Sequence, residues 1–245
     1  MKNTILLLFI IAITIFSCKK EENKPKQTRL KTYTYEYYAR IPASVDKFTI
    51  EYNNTNKISK VIYENNGVLY STKYCIYTAA NVLDSIIEKF ATGGSSFYKI
   101  IWTGNKITKF GDTQLTYNNN GLIDKKIYSN GEYFRNEYKG DSVFFYYKPL
   151  VGSESLRFKY ELSSSIKNPF LISGFEAEAF VTQILFYYNN GMIAPFANID
   201  ILEIGNTTKD YTFEGDFNGY PLKRNDLTNT LDANRSKETF TYEEF

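Results

Sequence analysis

Two cysteines, no histidine and 27 Asp and Glu side chains set the chemistry open to this chain of 245 residues. Without an imidazole, every Ser–His, Cys–His and His–metal arrangement is excluded. Paired carboxylates remain the enzymatic option, because a glycosidic bond is cleaved between two Asp or Glu residues that face each other across the sugar. Asp200, Glu203, Glu214 and Asp216 are the candidates for that role. Nothing in the sequence brings any two of them together, and isolated acids on strands are ordinarily solvated. The sequence therefore assigns no catalytic, cofactor-binding or metal-ligating residue, and no cofactor. Of the two thiols, Cys75 sits in the strand-like run Lys73-Tyr74-Cys75-Ile76-Tyr77 and reads as a buried, inert one.

Cys18 is different. The chain opens with one positive charge, Lys2, and then runs apolar from Ile5 to Phe16 before turning polar at Lys19-Lys20-Glu21-Glu22. A bilayer-spanning helix needs roughly 20 apolar residues, and a shorter run behind a positive n-region fits a secretory signal. Ile15-Phe16-Ser17-Cys18 resembles a bacterial lipobox, which implies cleavage after Ser17 and acylation of Cys18 with fatty chains such as palmitate. Residues 1–17 are the expected signal peptide, 18–29 a lipidated tether and 30–245 a single β-rich domain. The tether holds too little apolar surface to offset its ordering entropy. The expected partner of Cys18 is the membrane itself, since two or more acyl chains give stable anchoring. An ordinary signal peptide with an incidental cysteine is the alternative, and Ile15 suits its cleavage site poorly.

The 29 basic residues nearly balance the 27 acidic ones. No block of like charge follows the tether, so a nucleic-acid partner is not expected. The outlier is aromatic content, with 22 Tyr and 19 Phe. Tyrosine combines a broad apolar ring with a polar tip and suits strands whose faces are half dry.

A loose motif places those rings. An aromatic residue is followed by a short turn rich in Asn and Gly, then by an apolar residue that opens another strand. It occurs from Tyr52 to Ile58, Tyr77 to Leu83, Trp102 to Ile107, Tyr117 to Ile123, Tyr138 to Val143 and Tyr188 to Ile193. Asn and Gly tolerate the positive φ of tight hairpins, so each copy predicts a reversal between neighbouring strands. Flanking segments alternate as half-buried strands do: Phe48, Ile50 and Tyr52 oppose Lys47, Thr49 and Glu51, and Leu156, Phe158 and Tyr160 oppose Arg157, Lys159 and Glu161. Copies are unevenly spaced, which argues for a meander rather than a solenoid. One short helix is expected near 174–185, opened by the capping box Ser173-Gly174-Phe175-Glu176. Strands are expected again around Ile199–Ile201, Tyr211–Phe213 and Thr239–Tyr242, with a turn at Gly219-Tyr220-Pro221. The expected fold is mainly β: a curved antiparallel meander sheet or an open barrel-like sheet.

These segments resemble the Bacteroidetes lipoproteins grouped as a domain of unknown function with a porin-like fold. The matching pieces are the repeats of the type Tyr117-Asn-Asn-Asn-Gly-Leu-Ile123, Lys167-Asn-Pro-Phe170, and Tyr211-Thr-Phe-Glu214 through Gly219-Tyr-Pro-Leu222 to Phe240-Thr-Tyr242. The repeats also resemble the Tyr-Asp repeats of Rhs-type proteins. The resemblance implies a curved, largely antiparallel sheet and brings no catalytic residues. The Cys18-Lys-Lys-Glu-Glu22 start resembles the tether of lipoproteins displayed on the cell surface. A pore is not expected, because a transmembrane barrel needs one wholly apolar face and Lys125 falls between Ile123 and Ile127.

The expected function is that of an outer-membrane lipoprotein, facing the cell surface or the periplasm, whose β domain binds or scaffolds a glycan or protein partner. Trp102 and outward tyrosines are the candidate contacts. The alternative is a glycan-active enzyme using paired carboxylates. Asp84-Ser85-Ile86 and Asp141-Ser142-Val143 resemble acceptors for O-glycosylation, a match too short to count toward the reading.

Overall fold

A computed structural model describes residues 27–38, 43–162, 199–204, 207–226 and 236–245. The helix expected near 174–185 and the repeat copy at Tyr188 lie outside the described residues, as does Cys18. The strands are β1 (Thr28–Tyr37), β2 (Ser44–Tyr52), β3 (Ile58–Asn65), β4 (Val68–Tyr77), β5 (Leu83–Phe90), β6 (Ser95–Thr103), β7 (Lys106–Phe110) and β8 (Thr113–Tyr117). They continue as β9 (Ile123–Ile127), β10 (Tyr133–Lys139), β11 (Ser142–Lys148), β12 (Ser155–Leu162), β13 (Ile199–Ile204), β14 (Thr207–Phe217), β15 (Tyr220–Asp226) and β16 (Ser236–Glu244). All are antiparallel and follow one another as a meander, as the sequence leads one to expect. Of the two forms left open there, the barrel-like one is found, and it closes: β1 pairs with β2 on one side and with β16 on the other. Closure removes the exposed sheet edges that a meander otherwise leaves at its two ends.

Side chains alternate across the wall. In β2, Phe48 and Ile50 are buried while Lys47 and Glu51 are exposed. The buried set, including Leu30, Tyr33, Phe48, Val61, Ile86, Ile107, Val143 and Phe240, forms one cluster inside the barrel. The outer face carries cross-strand ion pairs: Lys60 with Glu51, Lys47 with Glu64, Lys99 with Asp84, Arg135 with Glu154, and Lys223 with Glu214.

The hairpin turns follow from residues that accept positive φ. The turn after β2 has Asn56 at φ 60, and Asn53 Oδ1 accepts the amides of Thr55 and Lys57. Asn118 repeats this capping on Asn120 and Leu122 after β8, with Gly121 in the place of Asn56. A type I turn followed by one left-handed residue is a frequent three-residue hairpin connection.

Bulges account for two departures from simple alternation. Opposite Tyr117 the ladder skips a residue, so Ile123 turns inward while Lys125 pairs with Thr116 on the outer face. Between Phe145 and Tyr146 another shift sets Leu156 against Tyr146, and Leu156 is half exposed rather than buried. The turn expected at Gly219-Tyr220-Pro221 falls instead on Asn218 and Gly219, whose φ values of 59 and 88 suit a two-residue hairpin. Pro221 lies within β15.

Candidate functional site

The meander gives the barrel two distinct rims. Gln27 and Phe245 bond to each other's main chain at 3.1 and 3.0 Å, so both ends of the described domain lie on one rim. The Asn-rich turns after β2, β4, β8 and β14 share that rim. The turns after β3, β5, β7 and β9 lie on the other.

Inside the rim that holds the chain ends, the repeated aromatics act as brackets. Tyr52 donates its hydroxyl to the carbonyl of Leu30 at 2.6 Å, Tyr77 to Ile58 at 2.8 Å, Tyr117 to Ile107 at 2.6 Å and Tyr138 to Ile123 at 3.0 Å. Trp102 does the same with its indole N–H, to Leu83 at 2.8 Å. Tyr242 donates to Pro221 at 2.6 Å. In the successive copies the apolar residue that opens one strand offers the carbonyl that the next copy's aromatic takes. Burial pushes the hydroxyls of Tyr117 and Tyr138 up to about 12.

Further from that rim the interior becomes aromatic and then polar. Phe240, Tyr33, Phe48 and Tyr63 are directly paired across β16, β1, β2 and β3, with stacked rings 5.4, 5.6 and 4.7 Å apart. Beside this ladder lie two buried acid–base pairs. Lys73 Nζ is 3.8 Å from Glu88 Oε1, which also accepts the hydroxyl of Ser71 at 2.7 Å. Burial draws the Lys73 amine down to about 8, against the opposing pull of Glu88. Arg224 Nε is 3.2 Å from Glu238 Oε1, and Nη2 also bonds that same oxygen. The row just beyond the ladder runs Glu238, Tyr35, Asp46, Asn65 across four paired strands. Asp46 Oδ1 accepts from Tyr63 Oη and Asn65 Nδ2, each at 2.7 Å. Burial, with the Asp46 hydrogen bond next, raises the Tyr63 hydroxyl well above its usual range.

The residues singled out from sequence are dispersed. Asp200 and Glu203 lie on β13, where only the backbone is described. Glu214 is exposed on β14 and bonds Lys223 and Asn225. Asp216, also exposed, accepts the Gly219 amide in the next turn. The last two are thus held by surface and turn contacts. Trp102 serves the bracket rather than an outward contact. Cys75 is buried. Ser85 is buried and bonds Asp84, whereas Ser142 opens β11 half buried. Among the described residues no group of three or more His, Cys, Asp or Glu could hold a metal ion. The inner row of Glu238, Tyr35 and Asp46 was missed, because a one-strand alternation cannot tell which polar residues turn inward.

No protein-family model and no curated protein matches the chain. Among solved structures it is similar to a porin-like protein from Bacteroides uniformis ATCC 8492, with a TM-score of 0.57 and 13% identity over 87% of this chain and 98% of that one. A porin-like protein from Bacteroides vulgatus ATCC 8482 matches at a TM-score of 0.39 and 12% identity, over 89% of this chain and 99% of that one. The first likeness is one of fold. The wall itself is built unlike a lipid-embedded one, since a Lys or Arg facing the bilayer midplane costs about 2–4 kcal/mol. Here Lys47, Lys60, Lys99 and Lys223 face outward on four separate strands, β2, β3, β6 and β15.

Proposed function

We propose that this chain is an outer-membrane lipoprotein whose water-facing β-barrel is tethered by acylated Cys18 and binds or scaffolds a partner at the rim remote from the tether. The observation that carries this reading is the mutual bonding of Gln27 and Phe245, because the tether must leave the barrel at that rim. Residues 18–26 reach about 30 Å at full extension, roughly the height of a nine-residue strand. The tether therefore favours an upright barrel with the opposite rim away from the bilayer. The charged outer wall supports a module standing in water, and the porin-like likeness accords with a protein of the cell envelope.

Palmitate labelling of the wild type and Cys18→Ala, with and without globomycin, tests the anchor. Label should enter the wild type alone, and its uncleaved precursor should accumulate under globomycin. Label retained by Cys18→Ala, or an unlabelled wild type free in the medium, overturns the proposal.

A further inference from the structure

We propose that the inner row Glu238, Tyr35 and Asp46, at the rim remote from the chain ends, binds a neutral, hydroxyl-rich small molecule of the saccharide type, with Glu238 Oε2 accepting one of its hydroxyls. Glu238 is only 4% exposed, and its Oε2 accepts no hydrogen bond in the structure. A buried carboxylate oxygen without a donor is costly, and its place beside the half-buried polar row at the open rim calls for a ligand. Charge is not what Glu238 lacks. Arg224 places both Nε and Nη2 on Oε1, so a second cation would meet the guanidinium beside it. What is missing is a neutral donor.

The surroundings suit such a molecule. Glu238 pairs with Tyr35 and Tyr35 with Asp46, so the two carboxylates stand two strands apart. That spacing is about 10 Å between Cα atoms, the span of one or two sugar rings. Tyr35 and Tyr37 are half buried, and their rings stack with centroids 6.3 Å apart, presenting apolar surface to sugar C–H groups. Asp46, Asn65 and Ser44 are also half buried, so the row leads inward from solvent. A few convergent polar groups on an aromatic lining are the usual make-up of a small-molecule site. The site does not depend on the anchor.

Saturation-transfer NMR on the detergent-solubilised full chain tests the site, with maltotriose, N-acetylglucosamine and sorbitol as probes and putrescine as the cationic control. Transfer to at least one neutral probe is expected, and none to putrescine. Glu238→Gln and Asp46→Asn should each weaken apparent affinity at least tenfold, and the outer-face variant Glu214→Gln should leave it unchanged. Circular dichroism melts check that each variant is folded, and Asp46→Asn carries the test should Glu238→Gln unfold. No transfer from folded wild type, transfer unaltered in the folded variants, or binding of putrescine instead overturns the proposal.

Discussion

The hydroxyl of Tyr77, the last residue of β4, donates to the carbonyl of Ile58, the first residue of β3, across 2.8 Å. The same bracket recurs at Tyr117 on Ile107. Its loss should leave a carbonyl without its donor while the ring still packs. Tyr77→Phe and Tyr117→Phe are each expected to cost about 1 kcal/mol. Urea unfolding followed by circular dichroism measures this. Midpoints unchanged in both variants would show that the brackets contribute nothing net.

Tyr117 and Tyr138 carry a pH dependence with a definite sign. Burial raises each hydroxyl to about 12 in the folded protein, from an unfolded value of 10. A group whose folded value is raised contributes its full stability below the unfolded value and loses it as pH rises through the folded one. Stability should therefore fall between pH 10 and about 12, with tyrosinate absorbance appearing together with loss of β signal. Ionisation of all tyrosines near pH 10 in a barrel that stays folded is the contrary result.

How far the sequence reached can be read from Tyr52 and Glu238. Tyr52 announces itself: an aromatic before Asn53-Asn54-Thr55-Asn56 marks a strand end, and the turn, the αL residue and the inward ring all follow from local geometry. The hydroxyl's partner, Leu30, does not, because it lies on the neighbouring strand β1, 22 residues back in the chain. Glu238 is the opposite case. Within Ser236-Lys237-Glu238-Thr239-Phe240 it looks like any polar strand residue. Only the pairing of β16 with both β15 and β1 turns it inward against Arg224. Bulges hid Leu156 and Lys125 for the same reason: the extra residue that flips a face is invisible until the partner strand is known. Closure was equally illegible, since it rests on β1 meeting β16 across almost the whole chain.

Gly215 separates strain from crowding. Its φ is +70, and a Cβ there would stand 2.8 Å from Leu222 Cδ1. Gly67 has a similar φ of +76 with no atom within 4 Å of the same point. Gly67→Ala should lose about 1 kcal/mol through backbone strain alone. Gly215→Ala should lose more, because Leu222 must also move away from β14. Thermal melts of the two variants order these losses, and equal melting temperatures would remove the steric part of the account.

Lys73 and Glu88 should behave as a unit, with a pH dependence carried by the Lys73 amine. Removing either partner of a buried pair typically costs about 3–5 kcal/mol, whereas replacing both by apolar residues is often neutral or stabilising. Lys73→Met leaves the Glu88 carboxylate buried without its cation, still accepting the hydroxyl of Ser71. Glu88→Leu leaves the amine, already drawn down to about 8 with its partner present, without the carboxylate that was holding it up. The isolated amine sheds its proton more readily still, so Glu88→Leu should recover stability relative to wild type as pH rises from 6 to 9. The double variant should lie within about 1 kcal/mol of wild type and lack the pH slope of Glu88→Leu. Urea midpoints across that pH range measure all three, and a double variant as unstable as the worse single one would mean that shape rather than charge sets this part of the core.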